Sequence, residues 1–414
     1  MKTSIILFFA ILMQGISSFA QYPGCSNGRY LDSIYGVTVT SNIVYGNNLL
    51  YNGTATDLKL DVYEPTGDIQ TVRPLIIFAP KGSFIQESKT ELTMVQLCNH
   101  FASLGYVAVA IDYRVGVNYA AVMQNAQLEF TKAVLRAAHD YKAAIRYFRK
   151  DAATTNTFRI DTGMIIAGGS SAGAITALHV AYLDKVSEVP AYVDTTGLGG
   201  VEGLSGNLGY SSRPRFVVNL CGAIADTTWI EAGNIPVVSM HGNLDTEVPY
   251  GTATISMLIP IMEVDGSASI NLRAQNIGLQ NPFHTFWGRT HIPYDENAGG
   301  AFLQYMDTVK TFVTQHLYNW VCGSTKASAI SISLKPEIYP NPANDEVHVM
   351  LPPNFNKTNC SIELLDYTGK SYFVSNVKEL DSAQKITLTA LAKGVYLIRI
   401  NNDTNCFTEK IIKL

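Results

Sequence analysis

Short apolar runs alternate with amphipathic segments through most of the chain. Residues 58–65 (LKLDVYEP) alternate apolar and polar side chains, as a half-buried strand does. Continuous apolar runs, typical of strands covered on both faces, occur at residues 74–80, 106–112, 215–222 and 235–242. A weaker run at residues 270–278 (INLRAQNIG) predicts one further strand.

Segments with helical spacing connect these predicted strands. They occupy residues 90–105, which end at Gly105, and the stretch from Phe130 to Ala152. At residues 158–183 a strand, a glycine-rich bend and a helix of small residues follow one another. This alternation predicts an α/β fold, a mostly parallel sheet with flanking helices. In open sheets of this kind the functional site lies at the carboxyl ends of the strands.

The pattern changes near Ser324. The following residues have no helical period, and short strand-like segments are separated by Asn, Gly and Asp turns. We therefore expect an α/β domain at residues 21–325 and a separate, small all-β domain, a β-sandwich, at residues 331–414.

The first 20 residues are typical of a secretory signal peptide. Lys2 precedes an apolar run from Ile5 to Met13, and small residues come just before Gln21. A spanning helix needs about 20 apolar residues, and Gln14 and Gly15 interrupt this run earlier. We expect an exported chain that starts near Gln21 and has no integral membrane segment after signal cleavage.

Composition narrows the expected partners. The 414 residues carry a formal net charge of -4 and no run of like charges, so no surface suited to nucleic acid or an anionic membrane is expected. A neutral or weakly charged substrate fits this balance. No cofactor and no metal ion is expected.

Six cysteines in an exported chain permit disulfide bonds. We predict Cys25–Cys98, which would hold down the N-terminal arm, and Cys360–Cys406 within the tail. Cys221 either pairs with Cys322 or is a buried free thiol, and the sequence leaves both open.

Residues 169–173 read G-x-S-x-G between a predicted buried strand and a helix. This context favours Ser171 as a nucleophile on a strained turn. Ser170 has an alanine two positions later, so only Ser171 has glycine on both sides. A dinucleotide-binding bend would instead read G-x-G-x-x-G, which is absent here.

A serine nucleophile needs a base and a carboxylate that orients the base. Asp245 follows the predicted strand at 235–242, and Asp226 is its rival on the preceding strand. His291 and His284 both follow the run at 270–278, and we prefer His291 because it lies in a polar, glycine-introduced loop. The expected set is Ser171, Asp245 and His291.

Backbone N–H groups should stabilise the oxyanion that forms when the serine attacks. Ala172, directly after the nucleophile, is one expected donor. Gly82 and Ser83, in the loop after the predicted strand at 74–80, are the others. Lys81 either attracts a substrate carboxylate or points to solvent.

These motifs follow one another along the chain in the order found in α/β-hydrolases of the carboxylesterase and lipase group, and residues 24–320 resemble that group. The resemblance rests on DVYEP, AIDYR, KAAIRYFR, GGSSAGA and HGNLDTEVP. Such esterases usually carry His-Gly-Gly-Gly/Ser-Phe in the oxyanion loop, where this chain has Pro80-Lys81-Gly82-Ser83-Phe84. Because the histidine and the first glycine of that pattern are absent here, we expect the loop to differ in rigidity and the reaction to differ in rate.

The tail resembles the C-terminal sorting domain of the type IX (Por) secretion system. The matching segments are IYPNPANDEVHV, LLDYTGK, LAKGVYLIRI and EKIIKL. The resemblance implies a β-sandwich export signal, the type IX machinery as a partner, and passage through the periplasm and outer membrane to the cell surface or medium. A carbohydrate-binding or immunoglobulin-like module is the alternative.

These features predict a secreted serine hydrolase that cleaves carboxylic esters through an acyl-enzyme, with a small or polymer-derived ester as substrate. One alternative is a serine peptidase on the same fold. Another is a non-catalytic exported binding protein on a hydrolase scaffold. Residues 190–214, rich in Gly and Ser, are a candidate lid.

Overall fold

The structure is a computed structural model that describes residues 22, 24–86, 88–195, 197–257, 259–298, 302–323, 336–339, 341, 343–351, 360–377, 383–401 and 406–414. The predicted signal peptide at residues 1–20 and the predicted junction at residues 326–330 lie outside the described residues.

An eight-stranded sheet forms the centre of the first 323 residues, with strand order β1-β2-β4-β3-β5-β6-β8-β11. The pairs β1–β2 and β2–β4 are antiparallel, and the other neighbours are parallel. The strands are β1 (Val37–Leu49), β2 (Ala55–Pro65), β3 (Arg73–Ala79), β4 (Val107–Ile111), β5 (Ile160–Ser170), β6 (Phe216–Leu220), β8 (Val237–Gly242) and β11 (Phe283–Phe286). A second, antiparallel sheet has the order β7-β10-β9, with β7 (Ala223–Ile224), β9 (Thr252–Ser256) and β10 (Pro260–Gly266).

Helices cover both faces of the central sheet. They are α1 (Leu92–Ser103), α2 (Tyr119–Val122), α3 (Ala126–Ala153), α4 (Ala172–Tyr182), α5 (Ser267–Ile277) and α6 (Phe302–Cys322). Alternate side chains of β3 enter different cores: Leu75 and Ile77 pack with α3 and α4, and Ile76 and Phe78 pack with α1 and α6. A strand buried on both faces carries mostly apolar side chains, which explains the nearly continuous apolar runs of the sequence.

The predicted strand at residues 270–278 is wrong, because this segment lies within helix α5. Ile270 and Ala274 are buried four residues apart, whereas Leu272 is 59% exposed. The apparent alternation of apolar residues arose from this exposed leucine. The last strand of the sheet is β11, and Gly278 ends α5 with a left-handed backbone, φ 69°.

The structure contains one disulfide among the described residues, Cys25–Cys322, so the predicted Cys25–Cys98 pair is wrong. Cys98 is a buried free thiol in the core between α1 and the sheet. The other option for Cys221, a buried free thiol, is confirmed. The last turn of α6 lies beside the N-terminal arm, a contact that no local pattern reveals.

The tail forms two antiparallel sheets around its own apolar core. The strands are β12 (Glu337–Tyr339), β13 (Glu346–Met350), β14 (Cys360–Asp366), β15 (Ser371–Val377), β16 (Ala383–Thr387), β17 (Gly394–Asn401) and β18 (Cys406–Lys413). The Cys360 thiol is free, so the predicted Cys360–Cys406 bond is wrong. Strand β17 lies between the two backbones, and two strand spacings of about 4.8 Å each exceed the Cα–Cα reach of a disulfide.

No helix in the described part of the chain has the length and apolar character needed to cross a membrane.

Candidate active site

Ser171 lies on the sharp turn between β5 and α4, with a left-handed backbone, φ 52°. A Cβ on Gly169 would lie 2.2 Å from the carbonyl carbon of Gly173, and one on Gly173 would lie 2.0 Å from the Ala79 oxygen. Both glycines are therefore needed for the helix to pass this close to the sheet. The turn is held by the Ser171 N–H, which donates to the Leu220 carbonyl at 2.9 Å.

The structure brings Ser171, His291 and Asp245 together at the carboxyl ends of β5, β8 and β11. Ser171 Oγ lies 2.8 Å from His291 Nε2, and His291 Nδ1 lies 2.6 Å from Asp245 Oδ2. Because a carboxylate only accepts, Nδ1 carries the ring proton and Nε2 accepts from the serine hydroxyl. This is the arrangement in which an imidazole can take the proton of a serine.

Asp245 is a fully satisfied carboxylate. Its Oδ1 accepts from the N–H groups of Glu247 and Val248, both at 2.9 Å. Its Oδ2 accepts from His291 and from a second histidine, His241. Burial opposes the charged form, but these hydrogen bonds outweigh it and lower the pKa of Asp245 to about 2. The group facing His291 is therefore an anion at neutral pH.

His241 is a residue of this site that the sequence analysis missed. It lies near the end of β8 with no exposed surface, and its Nε2 is 3.0 Å from Asp245 Oδ2. Nδ1 of the same ring is 2.7 Å from Ser267 Oγ. The available signal was a histidine inside the apolar run at 235–242, because a buried polar side chain requires partners.

The rival residues lie elsewhere. His284 is on β11, where its ring contacts Phe286 and Phe312, and burial lowers its pKa to about 4. Asp226 accepts from the N–H of Thr228 at the start of a short 3-10 turn. The hydrogen-bond partner of Ser171 is His291 rather than His284, and the carboxylate that His291 contacts is Asp245 rather than Asp226.

Two of the three expected oxyanion donors lie beside the candidate nucleophile. Ser83 and Ala172 line one cavity with Ser171 and His291. Gly82 and Ser83 have left-handed backbones, φ 111° and 55°. Within the described part of the chain, neither of their N–H groups donates to another backbone carbonyl. Free amides beside a nucleophile suit an anion that forms during a reaction.

Lys81 does not point to solvent. Its Nζ lies 2.5 Å from Asp295 Oδ2 and 3.7 Å from a Glu91 oxygen, and the residue is 9% exposed. Burial raises the pKa of Asp295, but Lys81 and Asn297 outweigh this effect and hold the pKa below its usual range. The ion pair joins the loop that carries Gly82 to the loop that carries His291.

A cavity of about 350 Å³ opens beside Ser171. Its walls are mostly apolar and come from α3, α4 and the β9–β10 hairpin, with Phe130, Leu135, Ile175, Trp229, Ile261 and Met262 among the lining residues. Of the described residues in the candidate lid at 190–214, only Pro190 lines the cavity. The β9–β10 hairpin, which the sequence analysis missed, forms the wall instead.

In the part of the chain that the structure describes, two groups of side chains have the spacing of metal ligands. Cys221, His241 and Asp245 have ligand atoms within 4.8 Å of one another, as do Glu91, Asp295 and Glu296. Hydrogen bonds from four N–H groups already occupy the oxygens of Asp245. In the second group, the ammonium of Lys81 bonds Asp295. In each group, N–H donors of the protein thus bond carboxylate oxygens that a metal ion would otherwise bind.

Comparison with protein families finds two matching regions in the chain. Residues 60–202 match the family described as BD-FAE, an α/β-hydrolase family of esterase-like proteins. Residues 337–414 match the secretion system C-terminal sorting domain. The first match includes Ser171 and the loop of Gly82 and ends before Asp245. No curated protein sequence gives a significant match.

Solved structures of esterase 2 from Thermogutta terrifontis are similar to this chain. The butyrate-bound structure is 23% identical, covers 73% of this chain and 100% of its own, and has a TM-score of 0.49. The structure phosphorylated by paraoxon is 23% identical, with coverages of 71% and 97% and a TM-score of 0.48. The propionate-bound structure is 22% identical, with coverages of 72% and 100% and a TM-score of 0.48.

The chain therefore resembles esterase-like α/β-hydrolases over residues 60–202 and matches a secretion sorting domain over residues 337–414. The expected resemblances to both families are confirmed. A type IX sorting tail is the signal for export to the cell surface or the medium.

Proposed function

We propose that the protein hydrolyses carboxylic esters through an acyl-enzyme formed on Ser171. The observation that carries the proposal is the unbroken chain of hydrogen bonds from Ser171 through His291 to Asp245, 2.8 and 2.6 Å long, at the wall of an apolar cavity. A neutral imidazole that is held by an ionised carboxylate is the base that a serine alcohol requires.

The proposed reaction has two halves. Ser171 Oγ attacks the ester carbonyl carbon while its proton passes to His291 Nε2, and the carbonyl oxygen becomes an anion facing the N–H groups of Gly82, Ser83 and Ala172. The C–O bond then breaks, and the alcohol leaves with the proton from His291. Water, deprotonated by His291, attacks the acyl group, and Ser171 recovers its proton as the carboxylic acid departs.

The cavity indicates which esters fit. Its apolar walls favour an ester with an apolar group next to the reacting carbonyl, because each buried CH₂ contributes about 0.8 kcal/mol to binding. The nearest acidic side chain in the lining is Glu247, in the loop of Asp245. Its carboxylate beside the cavity disfavours negatively charged substrates.

Substitution of Ser171 by alanine tests the proposal. We expect Ser171→Ala to lower kcat for short-chain aryl esters by about 10⁵-fold or more, because the nucleophile is absent. Ser170→Ala is the matched control: Ser170 is also buried, but its Oγ bonds Tyr294 at 2.9 Å rather than His291. This variant should keep its activity and its labelling by a fluorophosphonate probe. Ester turnover by Ser171→Ala would disprove the assignment.

The same assay separates an esterase from a peptidase. Paired aryl esters and anilides with one acyl group differ only in the leaving atom, so their kcat/KM ratio reports the reaction class. We expect the esters to be far better substrates, and comparable anilide turnover would contradict the proposal.

A further inference from the structure

His241 lies directly behind the proposed triad. Its ring has no exposed surface, and Nε2 faces two acceptors, Asp245 Oδ2 at 3.0 Å and the Val248 carbonyl at 3.1 Å. Neither acceptor can donate a proton, so Nε2 must carry one. His241 is therefore a hydrogen-bond donor to the same carboxylate oxygen that accepts from His291.

The other side of the ring is also fixed. His241 Nδ1 lies 2.7 Å from Ser267 Oγ, at the first residue of α5. Ser267 Oγ accepts from Asn219 Nδ2 at 3.0 Å, and Asn219 is in β6. The Ser267 hydroxyl has one proton and two acceptors within reach, His241 Nδ1 at 2.7 Å and the Gly222 carbonyl at 3.2 Å. With Nε2 protonated, a neutral ring accepts at Nδ1, the nearer of the two. A buried network thus runs from β6 and α5 through His241 to Asp245.

We infer that His241 is a positioning residue for Asp245, which orients the carboxylate towards His291 and takes up part of its negative charge. The inference rests on the proposed function, since it assigns a role within that triad. Two N–H donors on one oxygen share its charge, so each bond is weaker than a single bond would be. His241 therefore lowers the basicity of His291 while it holds the acceptor in place.

The other ionisable groups around this carboxylate do not compete for the role. Burial raises the pKa of the Cys221 thiol to about 12, and burial also raises the pKa of Tyr250, whose ring contacts His241. Both are neutral near pH 7. Glu247 bonds Asp245 Oδ1 through its backbone N–H, on the opposite side of the carboxylate. Asp295, which lies shortly after His291 in the chain, bonds Lys81.

Three variants test the inference. His241→Phe removes the donor, whereas His241→Gln places an amide N–H near the position of Nε2. His316→Phe is the control, a half-buried histidine on α6. We expect His241→Phe to lower kcat by about 10²-fold with little change in KM, because a misplaced carboxylate misorients the base. The acidic limb of the kcat/KM profile should move to higher pH, since His291 becomes more basic.

His241→Gln should recover most of kcat and return the acidic limb towards its wild-type position. The inference is overturned if His241→Phe matches His316→Phe in both readouts, or if His241→Gln is as impaired as His241→Phe. Should His241→Phe lose its near-UV circular dichroism, Ser267→Ala is the substitute: it frees Nδ1 and should give a smaller loss of kcat with the same direction of pH shift. If the pH profile of kcat/KM is unchanged in Ser267→Ala, the inference is likewise overturned.

A second readout does not depend on turnover. The low-field ¹H resonance of the His291 Nδ1 proton reports the strength of its bond to Asp245, and it should move further downfield in His241→Phe. A shifted resonance in a protein that hydrolyses no ester would refute the proposed function and support the role of His241. An unshifted resonance in a variant of an active esterase would support the proposed function and refute the role of His241.

Discussion

Strained residues are concentrated around the candidate site. Five side-chain-bearing residues there have left-handed backbones: Ser83, Phe84, Ser171, Cys221 and Ile292. Each such residue costs of order 1–3 kcal/mol unless the surrounding structure enforces it. All five lie in turns that follow strands of the central sheet, so the rigid sheet enforces the conformations and the turns present Ser171, His291 and the amide of Ser83.

Site residues that belong to a recognisable sequence pattern could be predicted, and those outside such a pattern could not. Ser171 follows from glycines on both sides of a strand-to-helix turn, and Asp245 and His291 follow from the order of elements after it. His241 has no motif: its meaning comes from a carboxylate four residues later and a serine, Ser267, on another helix. Such a role exists only once the elements are assembled.

The ionisation of Asp245 should make the free energy of unfolding depend on pH in the acidic range. Its folded pKa of about 2 lies below the unfolded value of about 3.9, so its contribution is complete above about pH 5 and is lost as pH falls towards 2. The difference corresponds to roughly 2–3 kcal/mol. We expect the free energy of unfolding of Asp245→Asn, measured with urea from pH 7 to pH 2.5, to decline less steeply than that of the wild type.

Asp226→Asn is the control for this measurement, because Asp226 only caps a 3-10 turn at the surface. It should reproduce the wild-type decline. Parallel curves for the wild type and Asp245→Asn would mean that the hydrogen bonds of this carboxylate do not stabilise its anion.

At the scale of elements, the apolar pattern predicted the strands that are buried on both faces. It did not predict the elements that are only partly buried. The buried strands β3, β4, β6 and β8 were all predicted from continuous apolar runs. Helix α5 was predicted as a strand because its exposed Leu272 mimics alternation. The β9–β10 hairpin and the long edge strand β1 have mostly exposed or half-buried residues, so neither carries a strong apolar pattern.

The loops after β3 and β11 act together through the Lys81–Asp295 ion pair. We expect Lys81→Met to lower kcat for ester hydrolysis by about tenfold or more, because the loop of Gly82 and Ser83 loses its tie to the loop of His291. The loss of Lys81 also leaves Asp295 as a buried, uncompensated charge. Steady-state kcat and KM of the variant against an aryl ester are the measurement.

Asp295→Asn and the double variant complete a cycle. The double variant should be less impaired than the sum of the single effects, with a coupling of about 0.5–3 kcal/mol. Lys185→Met, which removes a surface ion pair with Glu231, should leave kcat unchanged. Additive effects in the cycle would show that the two loops are held independently.

At the scale of the whole molecule, the chain combines an enzyme-like α/β region with an export tail that has a separate core. The sequence predicted this division because the apolar period changes near Ser324. It did not predict how the α/β region closes on itself. That closure depends on Cys25 and Cys322, 297 residues apart in the chain, and no sequence pattern links residues at that distance.

The Cys25–Cys322 bond should stabilise the α/β region by restricting its unfolded chain. Replacing both cysteines by serine should lower the free energy of unfolding by roughly 2–5 kcal/mol and the melting temperature by several degrees. A reductant should lower the melting temperature of the wild type to that of the variant and leave the variant unchanged. Cys98→Ala, which removes a buried free thiol, should stay sensitive to the reductant. If that sensitivity disappears in Cys98→Ala instead, Cys25 pairs with Cys98, and α6 is held to the N-terminal arm by packing alone.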